Sequence, residues 1–153
     1  ADIKRQKTIL LLDNIQDPGN LGTIIRLAGA FKAGLILLNC VDPGNPKVIR
    51  SSAGTIFKTP WLNLDWPAAK QLIQELNRPI YRLENNHQAQ ALNIKNNNLP
   101  SDILLIVGSE GQGITVPLSG KTLFIDHQPW VESINVATAV AIALFVRYQT
   151  TNI

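Results

Sequence analysis

Three segments of the chain carry polar side chains where an apolar stretch meets a glycine-rich turn or a helix. These side chains are Asn20 and Arg26, then Glu110, and finally Ser133 and Asn135. Amides and hydroxyls can orient a ligand by hydrogen bonds, and a guanidinium can hold a phosphate or polarise an oxygen. In α/β proteins, ligands bind where parallel strands end. The spacing therefore predicts one site built from three loops.

The first segment has the pattern of a buried strand followed by a turn and a helix. Residues 8–12 are almost continuously apolar, as expected for a strand covered on both faces. Residues 17–19 form a turn, Asn20 is predicted to cap the next helix, and Gly34 is predicted to end it. Taken alone, this pattern favours a purely structural cap at Asn20 and a solvated charge at Arg26.

Strand and helix patterns alternate along the rest of the chain. Apolar runs predict strands at 35–38, 80–83 and 122–125, and residues 103–113 read as a strand that runs into a glycine-rich turn. Helical spacing predicts helices from 46 to about 54, at 67–77 and after Asn135. The polar stretch 85–100, which includes Asn96, Asn97 and Asn98, is predicted to be a loop. The alternation predicts an α/β fold, with a mostly parallel sheet flanked by helices in a single domain over 1–153.

The order of the three polar segments resembles a known family. The patterns are Asn20-x-Gly22-x-x-x-Arg26, Gly108-x-Glu110-x-x-Gly113 and Ser133-x-Asn135. Together they resemble the three motifs of the SpoU (TrmH) family of RNA ribose 2′-O-methyltransferases, over residues 8–148. The resemblance implies methyl transfer from S-adenosylmethionine to a ribose 2′-hydroxyl of tRNA or rRNA. It also implies a C-terminal trefoil knot that holds the cofactor.

The resemblance assigns roles to individual residues. A guanidinium has a pKa above about 12 and is a poor base, so Arg26 is expected to grip the adjacent phosphate and polarise the 2′-oxygen. Asn20, Ser133 and Asn135 are expected to orient Arg26 and the amino-acid end of the cofactor. Glu110 is expected to neutralise either Arg26 or a cation on the substrate side. The residues expected to bind the cofactor are Leu83, Glu84, Ile106, Gly108, Gly113, Ile125, His127, Ile134 and Asn135.

The chain departs from the family pattern in its last predicted strand. Ile125-Asp126-His127 stands where the family usually has Ile-Pro-Met. This change places a carboxylate and an imidazole beside the expected wall of the cofactor site. The contacts that this loop makes with the cofactor are therefore expected to differ from those of the family.

A basic segment follows the second predicted strand. With a net charge of +3, the chain permits a polyanionic partner. Taken alone, the cluster of Lys47, Arg50 and Lys58 is typical of a solvated helix face. The sequence Ser52-Ala53-Gly54, however, resembles a family element that lies near the RNA side of the site. The residues predicted to bind RNA are Arg26, Lys47, Arg50, Ser52 and Lys58.

The composition narrows the class of protein. No apolar run reaches the roughly 18 residues of a membrane span, and no secretory signal precedes the charged start. Cys40 is the only cysteine, which predicts no internal disulfide and a cytoplasmic location. His87 and His127 have no partner at ligand spacing, so no metal is predicted. Because the chain contains no methionine, an N-terminal RNA-binding domain is expected to be missing from it.

Other nucleotide sites fit the sequence less well. Residues 17–22 lack the Gly-x-Gly-x-x-Gly of a dinucleotide site, and Gly120-Lys121-Thr122 leads into a strand, whereas a phosphate loop leads into a helix. Two alternatives stay open. One is a noncatalytic RNA-binding module that keeps the fold, and the other is an enzyme acting on a small nucleotide, which would not bind S-adenosylmethionine.

The last helix suggests self-association. Residues 136–146 are almost entirely apolar, although a terminal helix of a small domain normally has one face in water. This pattern favours a homodimer through the helix, and the alternative is burial within the monomer. SpoU domains pair, so the resemblance implies that Asn20 or Arg26 of one subunit serves the cofactor of the other.

Overall fold

The computed structural model describes residues 2–92 and 98–151. Its strands are β1 (Thr8–Asp13), β2 (Ala33–Leu38), β3 (Trp61–Leu64), β4 (Ile80–Leu83), β5 (Gln90–Ala91), β6 (Ile103–Gly108) and β7 (Lys121–Phe124). Its α-helices are α1 (Pro18–Ala30), α2 (Pro46–Ser51), α3 (Trp66–Leu76) and α4 (Val136–Thr151). The strands form one sheet in the order β3-β2-β1-β6-β4-β7-β5, and every neighbouring pair is parallel. The predicted α/β fold with a parallel sheet is confirmed.

The sheet is covered on both faces, as continuous apolar strands require. Alternate residues of β1 enter two separate clusters of buried side chains, so that Leu10 and Leu12 face one side and Ile9 and Leu11 the other. The first cluster includes residues of α1, α2 and α4, and the second includes residues of α3. In the described part of the chain, no helix is long and apolar enough to cross a membrane.

The carboxyl ends of the central strands are tied together by Asp13. This residue pairs with Leu38 of β2 and with Gly108 of β6 in the register of the sheet. Its buried carboxylate accepts hydrogen bonds from the backbone N–H groups of Thr115 and Val116, over 2.5 and 3.1 Å. The loop that follows β6 is therefore anchored across the end of β1.

The start and the end of α1 both differ from the prediction. The N-cap is Asp17, whose Oδ1 accepts from the Asn20 backbone N–H over 2.8 Å. The prediction of Asn20 as the cap is wrong, because Pro18 already occupies the first turn, where proline fits well. The helix ends at Ala30 with Phe31 as its C-cap, so the predicted stop at Gly34 is also wrong. Gly34 lies within β2.

The remaining boundaries agree closely with the sequence pattern, with small shifts. Asn45 caps α2, which ends at Ser51, earlier than the predicted end near Gly54. The strand predicted at 122–125 is β7, one residue earlier. Two strands were not predicted, namely β3 and the short β5, which lies in the predicted loop 85–100. Asn96 and Asn97 lie outside the described residues.

The turn after β6 brings two backbone segments into contact. A Cβ atom added to Gly108 would lie 2.2 Å from the carbonyl carbon of Gly113, and Gly113 itself has a φ of +66°. The chain therefore folds back on itself where only glycine leaves enough room. Gly111, at the tip of the turn, would meet nothing within 4 Å.

These two glycines give a matched pair of variants. Gly108→Ala should lower the free energy of unfolding by about 1–3 kcal/mol, because the backbone at Gly113 must move to admit a methyl group. Gly111→Ala should leave it within about 0.5 kcal/mol of the parent. Urea denaturation of the three proteins measures the difference, and equal stability of the two variants would contradict this description of the turn.

Candidate active site

A cavity of about 320 Å³ lies at the carboxyl edge of the sheet, where β4, β6 and β7 end and α4 begins. Of the nine predicted cofactor residues, seven line it: Leu83, Glu84, Gly108, Gly113, Ile125, His127 and Ile134. Its walls also include the predicted catalytic residues Glu110 and Ser133. The volume and the apolar walls with a few polar groups are typical of a small-molecule site.

Two predicted cofactor residues do not line the cavity. Ile106 is fully buried and belongs to the cluster on the α3 side of the sheet, whereas Val107 belongs to the α4 side and lines the cavity. Asn135 caps α4 instead. Lining residues that were not predicted include Val107, Phe124, Val136 and Ala139. Alternation along β6 places Ile106 and Val107 on opposite sides of the sheet, and only the packing of α4 shows that the cavity lies on the side of Val107.

The three polar segments meet at the N-terminus of α4. Glu110 Oε1 accepts from the Val136 backbone N–H over 2.9 Å, and Asn135 Oδ1 accepts from the Thr138 backbone N–H over 3.1 Å. Asn135 Nδ2 donates to Asn20 Oδ1 over 3.2 Å. The predicted convergence of three loops is therefore present in the structure, and hydrogen bonds around one helix end produce it.

Glu110 has a different partner from the one expected. Its carboxylate caps a helix N-terminus, where a negative charge is favourable. No ion pair in the described part of the chain joins it to Arg26. Within one chain the carboxylate of Glu110 therefore caps α4, and neutralisation of Arg26 or of a cation on the substrate side stays a prediction.

Glu84 supplies an ionised carboxylate to the cavity wall. Its Oε1 accepts from Arg82 over 2.9 Å, and its Oε2 accepts from the Thr122 hydroxyl over 2.9 Å. The hydrogen bond from Arg82 and then that from Thr122 lower the pKa of this carboxyl below its ordinary value of 4.5, against the opposing effect of burial. Because the folded pKa is depressed, these contacts stabilise the fold above about pH 4.5 and lose their effect as the pH falls through the lower folded value.

His127 shapes the loop that closes the cavity. Its Nδ1 lies 2.7 Å from the Ile125 carbonyl oxygen, and its Nε2 lies 3.2 Å from the Val131 carbonyl oxygen. The ring also packs against Phe124, with the ring centroids 5.3 Å apart. The imidazole thus lies between two backbone carbonyls of the loop, a contact that the Met of the usual family pattern could not make.

The remaining predicted residues lie outside the cavity. Asn20 contacts Asn135, and Arg26 is exposed on α1 and does not line the cavity of its own chain. The cations predicted to bind RNA, which are Lys47, Arg50 and Lys58, are exposed. Ser52 is fully buried, and its hydroxyl donates to the Ile49 carbonyl over 2.7 Å, so its side chain is not presented to a partner.

Comparisons with known proteins identify the family of the chain. Residues 7–145 match the model of the SpoU rRNA Methylase family. An uncharacterized tRNA/rRNA methyltransferase of Synechocystis sp. is 37% identical over 89% of this chain and 51% of its own length. The 23S rRNA guanosine 2′-O-methyltransferase RlmP of Bacillus subtilis is 33% identical over 91% of this chain and 57% of its own length.

Solved structures of RNA methyltransferases have a similar fold. The AdoMet-bound rRNA methyltransferase from Sinorhizobium meliloti superposes with a TM-score of 0.82 at 28% identity, covering 94% of this chain and 56% of that one. The SpoU methyltransferase AviRb from Streptomyces viridochromogenes superposes with a TM-score of 0.83 at 25% identity, covering 96% and 61%. The chain spans about half the length of the curated relatives it matches. With three motif segments gathered at one helix end and a family match over residues 7–145, the chain belongs to the SpoU rRNA methylase family.

Proposed function

We propose that this domain transfers a methyl group from S-adenosylmethionine to a ribose 2′-hydroxyl of tRNA or rRNA. The observation that carries the proposal is the cavity at the meeting point of the three family motifs. The printed names of the relatives support it, since RlmP is a 2′-O-methyltransferase and the Sinorhizobium meliloti structure has AdoMet bound.

The residues of the cavity fit the proposed cofactor. Leu83, Ile125 and Ile134 give the apolar walls that an adenine ring requires. Gly108 lets backbone groups approach a ligand closely, and the ionised carboxylate of Glu84 can accept from hydroxyl or ammonium groups. The sulfonium supplies an activated methyl group, so that the C–S bond breaks as the bond from carbon to the 2′-oxygen forms.

In this proposal Arg26 acts on the RNA. Its planar guanidinium grips the phosphate next to the target ribose and polarises the 2′-oxygen. The proton of the hydroxyl leaves to phosphate or water, because a guanidinium cannot accept it. Asn20, Asn135 and Glu110 are positioning residues, since their hydrogen bonds fix α1 and the cavity wall relative to each other.

Arg26→Ala should lower methyl transfer to RNA at least about 100-fold, as the loss of one preorganised charged donor does. S-adenosylmethionine affinity measured by calorimetry should stay within about twofold, because Arg26 in this proposal contacts the RNA and not the cofactor. Arg26→Lys should recover little activity, since lysine lacks the planar fork. Lys70→Ala removes an exposed cation from α3 on the opposite face of the sheet and serves as the control.

The same measurements separate the alternatives. RNA binding without transfer by the parent protein at saturating cofactor would favour the noncatalytic module. Absence of S-adenosylmethionine binding in the calorimeter would favour an enzyme acting on a small nucleotide. Normal turnover of Arg26→Ala at saturating RNA would show that another group polarises the hydroxyl.

The proposal includes a homodimer through α4. Much of the apolar surface of α4 is buried within the monomer, and the exposed stripe consists of Thr138, Ile142, Phe145 and Gln149. Ile142 and Phe145 are large apolar side chains in that stripe. A second copy that covers them brings a partner to the face formed by α1 and α4. This arrangement supports delivery of Arg26 to the cavity of the other subunit.

Phe145→Glu should weaken self-association and lower methyl transfer in parallel, because a buried charge at the interface has no partner. Gln149→Glu places the same charge one turn further along the exposed stripe, at a polar position, and should change both less. Light scattering and thermal unfolding of each variant separate lost association from lost folding. A parent protein that is monomeric at micromolar concentration and fully active would rule the dimer out.

The family resemblance and the composition also bear on the knot, on a further domain and on the location of the protein. We propose the trefoil knot of the family for the C-terminal segment, and the position of β7 between β4 and β5 supports it. An additional RNA-binding domain before residue 1 stays a prediction. A cytoplasmic location also stays a prediction from the cysteine content.

A further inference from the structure

Phe57 is an exposed aromatic side chain in an otherwise well-packed region. It lies in the 3₁₀ turn Thr55–Phe57, and 79% of its surface is accessible to solvent. Its neighbour Ile56 is buried, as is Thr59. The turn therefore presents the phenyl ring to solvent while its other residues pack into the protein.

The surroundings of Phe57 are strongly basic. Residues 18–64 contain five Lys or Arg residues and a single carboxylate, Asp42, which gives a net charge of +4. The rest of the chain contains nine Lys or Arg residues and ten carboxylates, a net charge of −1. The net excess of positive charge thus comes from this part of the chain. Within it, no described ion pair engages Lys47, Arg50 or Lys58.

Hydrogen bonds fix this segment in place. Thr55 Oγ1 donates to the Ser52 carbonyl over 2.7 Å, and Trp61 Nε1 donates to the Ile56 carbonyl over 2.9 Å. Ser52 is itself buried and bonded to Ile49. The backbone that carries the ring is therefore ordered before a planar ligand stacks on the ring, which lowers the entropy cost of binding.

The segment runs along α1 toward Arg26. Ser51 Oγ donates to the Pro18 carbonyl over 3.2 Å, and Thr59 Oγ1 donates to the Ile25 carbonyl over 3.3 Å. Seven residues of helix separate these two anchors, about 10 Å. The second anchor places residues 57–59 beside the turn of α1 that carries Arg26.

We propose that Phe57 is a stacking platform for an unpaired base of the RNA near the methylated nucleotide, and that Lys47, Arg50 and Lys58 hold the flanking phosphates. An aromatic ring among cations is the arrangement by which proteins bind single strands, and a paired base cannot offer its face to such a ring. The inference rests on the proposed function, and it defines the substrate as RNA that is unpaired at this surface.

Trp130 shows why exposure of a ring is not sufficient. It is 82% exposed, but its loop carries Asp126 and Glu132 and no cation. A phosphate beside that ring would meet negative charge. Phe57 is the exposed ring that lies in the basic part of the chain.

The test is the affinity of the protein for a short fluorescein-labelled RNA of mixed sequence, measured by anisotropy as a single strand and annealed to its complement. Phe57→Ala should weaken single-strand binding about 5- to 100-fold, the loss of one base stack, and duplex binding less than about twofold. Phe57→Tyr should bind normally, whereas Phe57→Leu should behave like Phe57→Ala. Lys58→Gln should weaken both forms and reduce the slope of log affinity against log salt by about 1.

Leu62→Ala, which trims an exposed apolar side chain of β3, is the matched control and should bind like the parent. Unchanged single-strand affinity of Phe57→Ala would overturn the inference. If that variant instead altered self-association in light scattering, the ring would belong to a protein interface. Failure of the proposed function reads out separately, as absent methyl transfer or absent S-adenosylmethionine binding by the parent protein.

Discussion

The geometry of the site depends on which groups accept hydrogen bonds from the first backbone N–H groups of α4. The first backbone N–H groups of a helix have no partner within it, and leaving them unpaired next to a cavity is costly. Here Glu110 from the loop after β6 accepts from Val136, and Asn135 accepts from Thr138. Asn135 then uses its amide nitrogen to bond Asn20 of α1. One helix end therefore holds together three segments that are far apart in sequence.

This arrangement places the residues that line the cavity apart from the cations that are predicted to bind RNA. Strand ends, the glycine-rich turn and the His127 loop of one chain all contribute to the wall of the cavity. The cations predicted to bind RNA lie on α1, on α2 and in the turn that follows α2. The predicted catalytic residues thus divide into those that hydrogen-bond across the site, such as Glu110, and those that lie outside the cavity of their own chain, such as Arg26.

Most of the fold could be predicted because apolar strands and capped helices alternate clearly along the chain. The errors arose where two residues could serve the same role or where a strand had no clear apolar pattern. Asp17 and Asn20 are both good caps, and only the proline after Asp17 decides between them. The strand β3 has two exposed residues among its four, and β5 has only two residues, so neither carries a clear pattern. Burial of Ser52 depends on tertiary packing, which the spacing of residues along the chain does not reveal.

The strand order also sets a sequence of events in time. The strand β7 lies between β4 and β5, although both of these precede it along the chain. Residues 18–64, with the basic surface, leave the ribosome well before β7 and α4, at about 5–20 residues per second. A nascent chain therefore contains its positively charged segment before the residues that complete the cavity wall have been made. The strand β7 must reach the free edge of β4, and β5, whose partner in the sheet is β7, can pair only once β7 is in place. The last strand pairings of the sheet and the completion of the cavity wall therefore depend on the same late segment of the chain.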